Sequence, residues 1–174
     1  MTDAAQALLH RIKTDGAVDG QIIKVDTFLN HMVDPTLMRV LAQEIAGRFA
    51  DQQVDKILTA ETSGIMLAQA VAEELNVPFI YAKKKKPLTM TGSYAAASYS
   101  FTKQETTTLY VSQEVLFPAE RILFIDDFFA KGSTLKAIEE IVSQARAVLV
   151  GKAVIINKGV REDVHSILTM EDLR

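Results

Sequence analysis

The stretch ILFIDDFFAKGSTLKA, residues 122–137, decides how the chain reads. Four apolar residues, 122–125, form a short buried strand. They end on two adjacent carboxylates, Asp126 and Asp127, whose like charges repel. Ala130, Lys131, Gly132, Ser133 and Thr134 then turn into a helix predicted over 134–147, with Leu135, Ile138, Ile141, Val142 and Ala145 on its inner face. An ionised carboxylate only accepts hydrogen bonds, so the acid pair suits sugar hydroxyls or a bound cation. The turn and the helix start offer unpaired N–H groups, two hydroxyls and a favourable dipole, which together cradle a phosphate. A phosphate with a diol beside it describes a ribose 5-phosphate. A plain helix cap needs one such side chain, not two acids and two hydroxyls.

Working outward, strand and helix signals alternate. An amphipathic helix over 3–15 stops at Gly16 in a C-cap role, and an extended stretch QIIKVDTFL follows. Asp34 and Pro35 open a second helix running to about Phe49, with Leu37, Leu41 and Ile45 on one face. A strand over 56–60 leads through Glu61, Thr62, Ser63 and Gly64 into a helix over 65–75, ended by Asn76. Further strands are expected over 78–81 and 148–156. Residues 83–108 open with four lysines and continue rich in Ser, Thr and Ala, without clear period, and read as one long polar loop closed by a strand near 109–111. The last eighteen residues read as polar and weakly helical. The pattern predicts α/β: one domain over 1–174 with a mostly parallel sheet flanked by helices.

In such sheets ligands sit at the carboxyl ends of the strands. Three further stretches fall there. Residues 61–64 repeat the strand, Gly turn and helix start, and suggest a second anion site. The lysine run 83–86 opens the polar loop, where it either meets phosphate or is a solvated surface. Asn157 and Lys158 follow the apolar run Val154, Ile155 and Ile156, and a lone lysine there is ordinarily surface.

Other phosphate motifs do not fit. A P-loop needs its lysine after the second glycine, and a dinucleotide site needs G-x-G-x-x-G. His10, His31 and His165 have no metal-ligand spacing, and a G-x-S-x-G elbow is lacking. The absence of cysteine excludes thiolate zinc sites and thiol nucleophiles. A net charge of −3 argues against general nucleic-acid binding. The first helix carries Asp3, Arg11, Lys13 and Asp15, so it is neither a signal peptide nor a membrane span, and a cytoplasmic location is the expectation.

The apolar strand, two acids, short spacer and Gly-hydroxyl turn resemble the motif of the type I phosphoribosyltransferases, which bind 5-phosphoribosyl 1-pyrophosphate (PRPP). KVDTFLNHMVDP (24–35), FIYAKKKKPLTMT (79–91) and YSFTKQ (99–104) narrow the likeness to the bacterial xanthine-type branch, over roughly residues 5–158. That resemblance implies a purine-salvage transferase converting PRPP and a 6-oxopurine to a nucleoside 5′-monophosphate and pyrophosphate, with Mg²⁺ carried by the substrate. Xanthine is the expected base, with guanine or hypoxanthine possible. The alternative is a non-catalytic PRPP- or nucleotide-binding regulatory module.

The resemblance also assigns roles. Asp126 and Asp127 hold the ribose hydroxyls, and Ala130 to Thr134, Lys131 included, hold the 5-phosphate. Glu61, Thr62, Ser63 and Gly64 form the pyrophosphate loop. Lys83 is the catalytic lysine, with Lys84 and Lys86 also on pyrophosphate, across the interface of a homodimer. The polar loop near 87–108 is a flexible lid, and a small N-terminal hood brings Ile23 and Asn30 to the base. Lys158 faces the purine's six-position oxygen, with Val160 in the place of an aromatic that stacks on the base. Hypoxanthine-guanine relatives carry an acid three residues after the second Asp, where this chain has Ala130. No side-chain general base is expected, which disfavours the acidic xanthine least. The branch usually has Gly-Gln-Ala where this chain has Gly132, Ser133 and Thr134, and it extends beyond the position of Arg174. These departures bear on base preference rather than on PRPP.

Overall fold

The computed structural model describes residues 1–100 and 104–174. In chain order the elements are α1 (Asp3–Asp15), β1 (Ala17–Asp19), β2 (Ile22–Lys24), α2 (Pro35–Phe49), β3 (Lys56–Ala60), α3 (Gly64–Leu75), β4 (Phe79–Ala82), β5 (Ser93–Ser100), β6 (Glu105–Ser112), β7 (Arg121–Phe129), α4 (Ser133–Gln144), β8 (Val148–Asn157) and β9 (His165–Thr169). Five strands form a parallel sheet in the order β4-β3-β7-β8-β9. Its central runs are apolar on both faces, as helix-covered parallel strands require. Ile57, Leu123, Ile125 and Ala153 face the layer built from α1, α2 and α3, where Leu8, Leu41, Ile45, Leu67 and Val71 are buried. Leu58, Ile122, Phe124 and Val154 face the opposite layer, against Leu135, Ile138 and Ile141 of α4.

Local signals set the helix ends. One carboxylate oxygen of Asp34 accepts from the N–H groups of Thr36 and Leu37 at 2.9 and 3.2 Å, capping α2 above Pro35. Its other oxygen accepts from Arg11 at 2.9 Å and ties α1 to α2. The backbone donors, Leu37 first, and the Arg11 guanidinium hold this carboxyl below the usual range. Asn76 ends α3 in the left-handed conformation at φ 54. Gly16 ends α1 with its N–H on the Ile12 carbonyl, but in an extended conformation rather than a left-handed one.

Three segments differ from the sequence expectation. The 83–108 stretch is not a single polar loop: residues 84–92 are irregular, but β5 and β6 then pair antiparallel from Ser93↔Ser112 to Ser100↔Glu105. Small Ala, Ser and Thr side chains gave it no apolar contrast to read. The ribbon is anchored where Lys83 and Tyr110 exchange backbone hydrogen bonds of 2.8 and 2.9 Å, and by Ala96, Leu109 and Val111 in the α4-side core. The Gln144 amide also pairs in both directions with the Ala95 backbone, at 3.1 and 2.8 Å. Phe101, Thr102 and Lys103 of the YSFTKQ stretch lie outside the described residues. The weakly helical C-terminal reading is corrected too, because His165–Thr169 forms the edge strand β9, parallel to β8. The QIIKVDTFL stretch is extended only over Ile22–Lys24, and then coils into a π-type turn over Asp26–Asn30. Among the described residues no helix is long and apolar enough to cross a membrane.

Two charged residues, Lys56 and Asp127, are buried in this framework. Lys56 donates to the Val115 carbonyl at 2.8 Å and to both oxygens of Glu120 at 2.7 and 2.9 Å. Its removal leaves a partly buried carboxylate without its cation, which is the costly direction for such pairs. Lys56→Met is expected to destabilise the fold by about 2 kcal/mol after allowance for the partial exposure of Glu120. Denaturant titration checks this, with the midpoint falling at unchanged slope.

Candidate active site

The connections locate a crevice. From β3 the chain crosses through α3 to β4 on one side. From β7 it crosses through α4 to β8 on the other, with the two helices on opposite faces, as right-handed crossovers require. The direction of winding therefore reverses between the neighbours β3 and β7, and ligands of open α/β sheets bind at such a point, beyond the carboxyl ends of the strands. Residues 61–64 follow one of these strands and the acid pair ends the other.

β7 runs through the acids and on to Phe129, with Asp126 in register with Val154. The pair thus sits on a paired, rigid strand rather than on a loop. Asp127 is 7% exposed. Its Oδ1 accepts from the Phe128 N–H at 2.9 Å, and its Oδ2 lies 3.5 Å from the amide nitrogen of Asn30 in the hood. Asp126 accepts from the Asp127 N–H at 3.0 Å. Removal from water, and then the neighbouring Asp127 carboxylate, push the Asp126 carboxyl well above the usual range, while the Lys84 ammonium opposes the rise. The site holds more negative charge than it neutralises, which suits a ligand bringing hydroxyl donors or a cation.

Next to the acids is the turn. Gly132 stands at φ 78, the left-handed region, and a Cβ there would lie 3.0 Å from the Phe129 ring. No side chain caps α4. Its first N–H groups and the half-buried Ser133 and Thr134 line a cavity of about 140 Å³, walled by Asp126, Phe128, Phe129 and residues 130–135. An uncapped helix start beside a hollow of this kind has the geometry that suits an anion.

The 61–64 turn packs against the same acids. Gly64 begins α3 so close to them that a Cβ would lie 2.7 Å from Asp126 Oδ1 and collide with Thr59 Oγ1. No side chain caps this helix start either. The Glu61 carboxylate turns toward β4 and accepts from the Lys84 N–H at 2.9 Å. Of the lysine run, Lys84 acts on Asp126, whereas Lys83 lies over the Tyr81 ring with its ammonium 4.7 Å from the centroid, and Lys86 is exposed.

On the hood side, the Lys158 N–H continues the β7 ladder to the Phe129 carbonyl at 2.7 Å. Its ammonium donates to the Gln21 carbonyl at 3.1 Å and lies 4.9 Å from the Phe128 ring centroid. Asn30 thus reaches Asp127 and Lys158 reaches the next residue, Phe128, while Ile23 is buried on β2. Val160 is not part of that group: it is 97% exposed. Sequence reasoning passed over Phe128, a half-buried aromatic at the crevice, because it reads as one more apolar residue after the acids. Its position directly after Asp127 was the available signal.

An acid pair against an uncapped helix start, at a winding reversal between parallel strands, offers hydrogen-bond acceptors and unpaired N–H donors side by side. Residues 25–171 match the model of the phosphoribosyl transferase domain, and the chain belongs to that family. Within it, the chain is 45% identical over 158 residues to the xanthine phosphoribosyltransferase of Geobacillus thermodenitrificans, covering 89% of this chain and 81% of that protein. It is 44% identical over 154 residues to the xanthine phosphoribosyltransferase of Heliobacterium modesticaldum, covering 88% and 82%. The fold is shared with the crystal structure of adenine phosphoribosyltransferase from Rhodothermus marinus, at TM-score 0.74 and 21% identity over 94% of this chain and 99% of that one.

Proposed function

We propose that this protein transfers the phosphoribosyl group of PRPP to a 6-oxopurine, xanthine before guanine or hypoxanthine, and releases pyrophosphate. The meeting of the acid pair with the uncapped start of α4 in one crevice carries this reading. The relatives named xanthine phosphoribosyltransferase support the choice of base. In this reading Asp126 and Asp127 accept from the ribose hydroxyls, while the Gly132–Thr134 N–H groups and hydroxyls bind the 5-phosphate. The 61–64 turn and Lys84 take the pyrophosphate. Asn30, Ile23 and Lys158 hold the purine, with Phe128 offering a ring face in place of Val160.

The bond between the sugar's C1 and pyrophosphate breaks with its electron pair going to the leaving oxygen, and a purine nitrogen donates the pair that forms the new C–N bond. The base's proton passes to water, since Ala130 is exposed and supplies no acceptor. Lysine charge is placed where negative charge grows on the leaving group, and alignment of the two reactants supplies the remaining assistance. The two carboxylates offer hard oxygens but no cage: among the described residues no group of three or more acidic or histidine side chains could hold a metal. That donor set fits Mg²⁺ bound mainly through substrate oxygens, with Asp126 and Asp127 as its protein partners, and the ion supplies charge neutralisation on the pyrophosphate. The same reading makes the enzyme a cytoplasmic homodimer in which Lys83 and Lys86 reach pyrophosphate across the interface.

Pyrophosphate release with PRPP, Mg²⁺ and each of xanthine, guanine, hypoxanthine and adenine tests the proposal. Turnover fastest with xanthine and negligible with adenine is expected. No turnover with any base, alongside tight PRPP binding, would mark a regulatory module instead.

A further inference from the structure

We propose that Arg161 is a positioning residue for the purine subsite: it closes a ring of four charges that fixes the Lys158 loop relative to the phosphate cradle. The inference rests on the reading of Lys158 as the lysine that faces the purine. The ring joins three parts of the fold. Glu139 comes from α4, whose first turn lines the cradle, Lys152 from β8, and Arg161 and Asp163 from the loop between β8 and β9. Each cation reaches both anions. Lys152 lies 2.8 Å from Glu139 and 2.6 Å from Asp163, and Arg161 lies 3.0 Å from Glu139 and forms a second, very short contact with Asp163.

Isolated surface ion pairs contribute little, but a closed network of charge-assisted bonds with partly buried members does more. Here the side chain of Lys152 is 17% exposed and those of Glu139 and Arg161 are about twice that. The same loop is braced at its start by Asn157, which is buried. Its amide donates to the Arg161 carbonyl at 3.2 Å and its oxygen accepts from the Gly159 N–H at 2.9 Å. Lys158 and Gly159 thus sit between a buried clamp at one end and the charge ring at the other. Glu139 belongs to the helix that cradles phosphate, so the ring sets the spacing between the two ends of the bound nucleotide.

The test compares Arg161→Ala, Arg161→Lys and Lys158→Ala by steady-state kinetics in both substrates and by thermal melting. Arg161→Ala is expected to raise KM for the purine about 10-fold while KM for PRPP changes less than about 2-fold, as for loss of alignment rather than of a phosphate contact. Arg161→Lys keeps the charge and loses the planar fork, and is expected to restore part of the loss. A lower melting temperature with both KM values moved equally, or not at all, would overturn the proposal and leave the ring merely structural. If Arg161→Ala fails to fold, the two KM values of Arg161→Lys decide by the same criterion. Lys158→Ala separates the two levels. Should it raise the purine KM while Arg161→Ala does not, the positioning role alone is wrong. Should it leave the purine KM unchanged, the base-site reading fails and takes the positioning role with it.

Discussion

Asp126→Asn combined with Asp127→Asn is expected to weaken PRPP binding at least about 100-fold and to raise the melting temperature. The loss follows from removing two charged acceptors. A hydrogen bond to a charged group contributes about 1.5–3 kcal/mol, and each 1.4 kcal/mol is tenfold in affinity. The gain in stability follows from the crowding of charge at the end of β7. Burial and the adjacent Asp127 carboxylate raise the Asp126 pKa, so the folded chain holds that proton more tightly than the unfolded one. Its contribution to stability is fully present below the ordinary carboxylate range and is lost as pH rises through the elevated value. Above that value the wild-type fold carries the whole cost of the charge, and Asp126→Asn does not.

Neutralising a functional site of this kind typically gains about 0.5–2 kcal/mol, a few degrees in melting temperature for a chain of this size. The single variant should therefore melt above wild type at neutral pH, with the difference narrowing in acid. PRPP affinity should change in the opposite sense and fall with falling pH as Asp126 takes up its proton. Calorimetric titration with PRPP at several pH values, paired with melting curves, checks both. Unchanged affinity in the double variant would remove the acids from the sugar site.

Gly64→Ala is the smallest substitution with a large expected effect. The added methyl carbon would collide with Thr59 Oγ1 and sit 2.7 Å from Asp126 Oδ1, closer than a Cβ atom comes to atoms it is not bonded to. Thr59 is fully buried on β3 and has no room to retreat, so the start of α3 must move away from β7. Overpacking of this kind costs about 1–3 kcal/mol. Displacing the turn also separates the 61–64 N–H groups from the acids, and kcat/KM for PRPP should fall by about 100-fold or more. By contrast, a methyl group on Gly47 would meet nothing within 4 Å, so alanine there should leave activity unchanged. Equal kinetics for Gly64→Ala and wild type would mean that this turn takes no part in the crevice.

The elements legible in the sequence were those with strong contrast. The helices over 3–15 and 35–49 carry apolar residues at helical spacing between recognisable caps, and both fall where expected. The strand over 56–60 is an unbroken buried run and also matches. The acid pair stood out because carboxylates rarely follow such a run. That β7 continues through the acids to Phe129 was not legible, since pairing with β8 is a tertiary matter that overrides the polarity of two residues. The β5–β6 ribbon was hidden by its small side chains. β9 was hidden because only Leu168 of its five residues is fully buried.

At the site, Asn30 reaches Asp127 and Lys158 reaches Phe128 although the two stand far apart in the chain, and only the resemblance linked them beforehand. The charge ring of Glu139, Lys152, Arg161 and Asp163 has no sequence signature at all, because its members come from a helix, a strand and a loop whose adjacency depends on the sheet order.

The decisive measurement is a crystal structure of the protein with PRPP and Mg²⁺. The 5-phosphate is expected within hydrogen-bonding distance of the Gly132, Ser133 and Thr134 N–H groups, with the neighbouring ribose hydroxyls on Asp126 and Asp127. A donor bound elsewhere, with the turn before α4 vacant and the two carboxylates facing away from it, would rule out this crevice as the PRPP site.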